Sequence, residues 1–192
     1  MVISDEIHCD IQRKGIRHTP LSKLFPDSDQ IITCMAPSKT FNLAGLLFAN
    51  IIIPNRVMRN KWHARHHIFD NPLSVAAAKA AYGNCNDWLD RLTDCLDENF
   101  KFTQEYLNEH LPKAIFTIPQ GTYFAWINIG AYVPDKENLT LYFAQQAGVL
   151  LKGGNMFVSN ADNCIRLNLA CPRLQLKRAL EKVVAASPVA CQ

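Results

Sequence analysis

Residues 31–45, IITCMAPSKTFNLAG, set one lysine just past a short apolar run. Ile31, Ile32, Cys34 and Met35 read as a buried strand, a proline follows, and Lys39 stands between the hydroxyls of Ser38 and Thr40. A second strand-like run, MVIS at residues 1–4, leads into Asp5. Ligands of α/β sheets collect outside the carboxyl ends of strands. Two such ends here carry an amine and a carboxylate, about one strand-to-strand excursion apart along the chain. The two can form a buried ion pair. They can equally be working groups: a desolvated lysine with a lowered pKa forms an imine, and a carboxylate holds a cationic ring nitrogen. Spacing alone leaves both readings open.

Other reactive residue types are weaker signals. Arg166, in CIRLNLA, falls by alternation on the polar face of a half-buried strand, where a surface arginine is the default. Cys9, Cys34, Cys85, Cys95, Cys164, Cys171 and Cys191 contain no CxxC pair, and several lie in apolar runs. They read as buried free thiols of a reducing, cytoplasmic compartment. His63, His66 and His67 cluster, and helical spacing would put His63 and His67 on one face. No carboxylate or cysteine sits beside them at ligand spacing, so no metal site is expected.

The elements that must position these groups can be read from periodicity. QIITCM (30–35) and LLFANIIIP (46–54) read as two buried strands, and MVIS as the tail of another. Residues 55–82 are helical, broken at DNP (70–72), with Pro72 starting a second helix and Gly83 ending it. Residues 86–111 form a long amphipathic helix through Trp88, Leu89, Leu92, Leu96, Phe100, Tyr106 and Leu107, ended by Pro112. Beyond it, AIFTIP, GTYFAWINI and NCIRLNLA are short strands, and NLTLYFAQQAGV and RLQLKRALEKVVAA are helices. This tail reads as a small α+β domain packed on two or three strands.

The 192 residues suffice for one ordinary domain or parts of two. A composition of 48% hydrophobic and 19% charged residues argues against a disordered chain. A net charge of +3, with no basic stripe, argues against a nucleic-acid surface. No apolar run approaches the length of a membrane span, and the first residues lack a signal-peptide pattern.

The order of SDEIH, APSKTFNLAG, FANIIIPN, GTYFAWINIG and IRLNLACP closely resembles the pyridoxal-phosphate enzymes of the class I/II aminotransferase fold. Within it, the chain is most similar to cystathionine β-lyases and related C–S lyases of the MalY and PatB type. The resemblance runs essentially end to end but implies a C-terminal portion, because family members are about twice this length. It implies an α/β fold: residues 1–85 from the large cofactor-binding domain of fold type I, 86–111 a connecting helix, and 112–192 the complete small domain.

The resemblance also implies roles. Lys39 matches the lysine that carries the cofactor as an imine and shuttles the α-proton. Asp5 matches the aspartate that keeps the pyridine nitrogen protonated, and Arg166 the arginine that clamps the substrate carboxylate. Ser38 would place a hydroxyl near the cofactor phosphate. His8 stands where many relatives have a tyrosine near the ring hydroxyl, and histidine there fits the C–S lyases. Tyr123 would line the substrate side, though a core aromatic is the competing reading.

Two positions depart from many aminotransferases, which place a serine and an arginine on the phosphate where this chain has Ala36 and Leu47. That pattern again fits the C–S lyases. The expected parent reaction is α,β-elimination from a sulfur amino acid such as cystathionine, giving thiol, pyruvate and ammonia; transamination is the alternative. The parent is expected to be a homodimer. The phosphate loop, the ring-stacking aromatic and an asparagine to the ring hydroxyl belong to the family's N-terminal half. The chain alone is therefore expected to bind the cofactor weakly and to be an inactive folded fragment.

Overall fold

The computed structural model describes residues 1–66, 69–133, 138–158 and 160–187. His67 and Cys191, singled out above, lie outside them. The chain divides into two compact units, Met1–Thr93 and Asp94–Gln192.

In the first unit, β1 (Val2–Asp5) pairs in parallel with β2 (Ile31–Met35), in a register that sets Asp5 opposite Cys34. Strand β3 (Asn50–Ile52) adds antiparallel to β2, so the sheet order is β1-β2-β3. Between β1 and β2 the chain makes a long excursion with one helical turn, α1 (Leu21–Leu24). After β2 comes a second turn, α2 (Pro37–Thr40), which Pro37 opens with its fixed φ. Helix α3 (Arg56–Arg65) starts at Asn55, whose side chain accepts from the Met58 amide at 3.0 Å. Helix α4 (Pro72–Asn84) starts in the same way, Asn71 accepting from the Leu73 amide at 2.9 Å. Ala78 and Ala81 of α4 are buried, as are Ile11, Ile31 and Ile53.

Three readings of this unit need correction. LLFANIIIP is a three-residue edge strand preceded by a 3₁₀ turn at Ala44–Leu46, with Ile51 and Ile52 exposed. A continuous apolar run implies cover on both faces, but here only Ile53 is buried. Val2 and Ile3 of β1 are likewise exposed. Gly83 lies within α4, which continues to Asn84 because its φ is not left-handed and no C-terminal cap forms there.

Helix α5 (Asn86–His110) carries the division between the units and enters the core of the second. Leu96, Phe100, Thr103 and Leu107 recur three and four residues apart and are buried, whereas Trp88 near its start is not. The second unit holds a four-stranded antiparallel sheet of order β4-β5-β7-β6, wider than the two or three strands expected. Its strands are β4 (Ile115–Phe116), β5 (Phe124–Asn128), β6 (Lys152–Gly153) and β7 (Cys164–Asn168). Strand β6 gave no sequence signal, because two residues are too few to show a period.

Ala125 and Ile127 of β5, and Ile165 and Leu167 of β7, point into the core. Trp126 and Arg166, in register with each other, take the opposite face. Helix α6 (Leu139–Ala147) is capped by Asn138 and ends at Gly148, whose φ of 61° is left-handed. Helix α7 (Arg173–Ala185) buries Leu176, Leu180 and Val183, a stripe at helical spacing against the same core.

Candidate active site

Because β1 and β2 run parallel in register, Asp5 and the turn bearing Lys39 leave the sheet at the same end. Both side chains are exposed and, among the described residues, they form no ion pair. The buried pair considered from spacing is therefore absent, and within this unit burial does not desolvate the amine. The Asp5 Oδ1 accepts from the Ile7 amide at 3.2 Å, which turns the chain away from the strand end.

The lysine turn is held from below. Thr40, 1% exposed, donates its hydroxyl to Asp10 Oδ2 at 2.9 Å. That bond ties the residue after Lys39 to the segment after β1. Ser38 is half-buried, and its carbonyl accepts from the Leu43 amide at 3.1 Å. Asn42 at φ 56° and Leu47 at φ 50° take left-handed conformations as the chain turns back. The Leu47 side chain is 93% exposed.

Asp10 and Glu6 were missed from the sequence, because acids in a polar stretch look like solvated charges. Glu6, 6% exposed, accepts from the Ser4 hydroxyl at 3.0 Å, the Leu21 amide at 3.0 Å and His18 Nε2 at 2.8 Å. Burial alone would raise its pKa; the bonds from His18, Leu21 and Ser4 outweigh that and hold it low. Its amide also donates to the Cys34 carbonyl, so Glu6 anchors the excursion that starts beside Asp5.

His8 lies half-buried on this excursion, its carbonyl accepting from the Ile11 amide at 3.1 Å. The Cys9 thiol is pushed up to about 12 by burial and then by the Asp10 and Glu6 carboxylates. The described cysteines are free, as read from spacing, but only partly buried, and Cys95 is exposed. Tyr82 of α4 is raised to about 12, by burial and then by Asp10 and Cys9, so it lies near both. Phe41, after the lysine turn, packs edge-on to Tyr82 at 5.7 Å and beside Trp88 at 5.8 Å. His63 lies on exposed α3, and His66 stacks on Trp62 at 4.0 Å.

The second unit brings Arg166 and Tyr123 together. The Arg166 guanidinium lies 4.1 Å from the Phe124 ring centre and 4.1 Å from that of Phe157. The Tyr123 hydroxyl is raised by burial, against the lowering effect of the Arg166 charge. Thr122, just before it, has φ 67°, which is rare and strained for a β-branched residue. Its hydroxyl accepts from the Phe124 amide at 3.1 Å and closes the turn. Below β7, Asn99 of α5 is 1% exposed. It donates to the carbonyls of Leu169 at 2.8 Å and Cys171 at 3.0 Å, and accepts from Arg173 Nε at 2.8 Å.

Pyridoxal phosphate needs an amine for its carbonyl carbon and an anion for its ring nitrogen. Lys39 and Asp5 supply both at one end of one sheet, accessible to a ligand, so the residues of this unit fit the group.

Known proteins similar to this chain include cofactor-bound enzymes. The sequence model for aminotransferase class I and II matches residues 1–183. Cystathionine β-lyase PatB of Bacillus subtilis is 35% identical over 190 residues, covering 96% of this chain and 49% of that protein. The crystal structure of the PLP-bound C–S lyase of Staphylococcus hominis superposes with a TM-score of 0.94 at 45% identity, covering 96% of this chain and 48% of that one. Cystalysin of Treponema denticola, whose structure contains pyridoxal 5′-phosphate, gives 0.90 at 30% identity over 97% of this chain and 48% of that one. The chain spans about half the length of the relatives it matches.

Proposed function

Because the chain belongs to the class I and II aminotransferase family, we propose that it carries the lysine side of the active site of a pyridoxal-phosphate-dependent C–S β-lyase. The observation that carries this reading is the emergence of Asp5 and Lys39 from adjacent parallel strands at the same sheet end. Kinship with PatB and the Staphylococcus lyase supports elimination as the reaction and a sulfur amino acid such as cystathionine as substrate. Transamination is the family's other chemistry, and no residue of the site favours it.

When bound, the cofactor supplies an electron sink for a carbanion at the substrate α-carbon. The work of this chain's own residues follows from their chemistry. The Lys39 Nζ takes the proton from the α-carbon and delivers protons in later steps. The Asp5 carboxylate would hold a proton on the cofactor's ring nitrogen. Ser38 would offer a hydroxyl to the phosphate, and His8 a ring nitrogen near the ring hydroxyl. Arg166 holds the substrate carboxylate by paired hydrogen bonds, with Tyr123 beside it. Cystathionine and water would leave as homocysteine, pyruvate and ammonia. The whole enzyme would be a homodimer, and this chain by itself would bind the cofactor weakly.

The test is to incubate the 192-residue chain with millimolar pyridoxal phosphate, reduce with borohydride and map the adducts by mass spectrometry. The adduct is expected to concentrate on Lys39 and to vanish in Lys39→Ala. Equal labelling of surface lysines such as Lys61 and Lys101 would overturn the assignment.

A further inference from the structure

Arg166 projects from the middle of β7 on the face away from the core. Its cross-strand neighbours on that face are Trp126 of β5 and Lys152 of β6. Two cations directly opposite each other repel, so this face lowers its energy by taking up an anion. Among the described residues no carboxylate lies within ion-pair distance of Arg166. What holds it instead is aromatic: Phe124 and Phe157, each with its ring centre 4.1 Å from the guanidinium carbon. Phe124 neighbours Tyr123 at the start of β5, and Phe157 follows the 3₁₀ turn Gly154–Met156. The Trp126 ring meets that of Phe157 edge-on at 5.8 Å and backs it. Gly154 sets the turn: a Cβ there would lie 2.2 Å from the Ala161 carbonyl oxygen.

A guanidinium is a plane whose N–H donors all point outward along its edge. An aromatic ring attracts it through a face and accepts no in-plane hydrogen bond. Rings close to the guanidinium carbon thus stabilise the cation while its donor edge remains open. A free arginine must give up rotamer freedom to bind a carboxylate through two parallel bonds, and a stacked one has already done so.

We propose that Phe124 and Phe157 are positioning residues that fix the guanidinium plane of Arg166, so that a carboxylate is received only along its N–H edge. This deepens the reading of Arg166 as the carboxylate clamp and rests on it. Phe157, 43% exposed on a short turn, is the half that can be altered without disturbing the core.

The experiment uses the 192-residue chain and acetate as the probe. Side-chain NMR of the arginine Nε–H and Nη–H groups is recorded for wild type, Phe157→Leu, Phe157→Tyr and Phe124→Leu, with Arg166→Lys identifying the signal. The wild-type Arg166 signal is expected upfield and in slow rotation about its Nε–Cζ bond before any ligand is added. Phe157→Leu should speed that rotation and weaken acetate binding by about three- to tenfold, the scale of one cation–π contact and its preorganisation. Phe157→Tyr, which keeps the ring, should restore both. Leucine variants with wild-type rotation and affinity would overturn the positioning role. A restrained wild-type guanidinium that ignores acetate would instead overturn the clamp reading beneath it.

Discussion

Replacing Asn99 by alanine probes the join between α5 and the segment that leaves β7, and its cost can be worked from the structure. Asn99 is 1% exposed and makes three side-chain hydrogen bonds of 2.8–3.0 Å, to Leu169, Cys171 and Arg173. Each such bond contributes about 1 kcal/mol net, and a buried partner left unpaired costs about 1–3 kcal/mol. The Leu169 carbonyl loses one of its two donors and keeps the Cys171 backbone amide at 2.9 Å. Cys171 is half-buried, so water can reach its carbonyl in part. Arg173 keeps a stacking contact with Phe102 at 4.6 Å and a long ion pair with Glu98 at 3.8 Å. At about 1 kcal/mol for each of the three bonds, the sum is about 3 kcal/mol lost from the second unit. Asn99→Asp should cost at least as much, because it turns a donor facing two carbonyls into an acceptor. Urea unfolding followed by circular dichroism measures the loss. A change below about 1 kcal/mol for both variants would refute the view that this residue latches the strand bearing Arg166.

Thr40→Val keeps the shape of the lysine turn but removes its bond to Asp10, and is expected to cost about 1–3 kcal/mol. It should also reduce borohydride trapping at Lys39, with Thr40→Ser restoring both readouts. Glu6 has its pKa held below the ordinary value of 4.5 in the folded chain. Its contribution is therefore complete above that value and is lost as pH falls through the lower folded pKa. Denaturation midpoints measured from pH 6 down to pH 3 should show this acid-side loss in wild type and a flatter profile in Glu6→Gln. With its thiol pushed up to about 12, Cys9 should react with iodoacetamide at pH 8 far more slowly than exposed Cys95. Peptide mapping over a time course would show the order.

Local periodicity and chain order were enough for much of this protein. The spacing of Leu96, Phe100 and Leu107, stopped by Pro112, determined α5, and the stripe Leu176, Leu180, Val183 determined α7. Alternation puts Arg166 on the outer face of β7, and chain order alone sets Asp5 and Lys39 at strand ends. These features are decided within a few residues, where side-chain direction follows the backbone period. Only the tertiary structure decided burial and partnership. Glu6 and Asp10 lie in a polar stretch, yet one is enclosed by groups up to 15 residues away and the other grips a threonine 30 residues on. Asn99 meets carbonyls 70 and 72 residues distant. LLFANIIIP looked like a core strand, but the sheet order made it an edge. The two rings on Arg166 come from separate segments that only the sheet and the Gly154 turn bring together. The physical reason is one of range: a period is written in neighbouring residues, whereas the solvation of a charge depends on which distant atoms the fold places beside it.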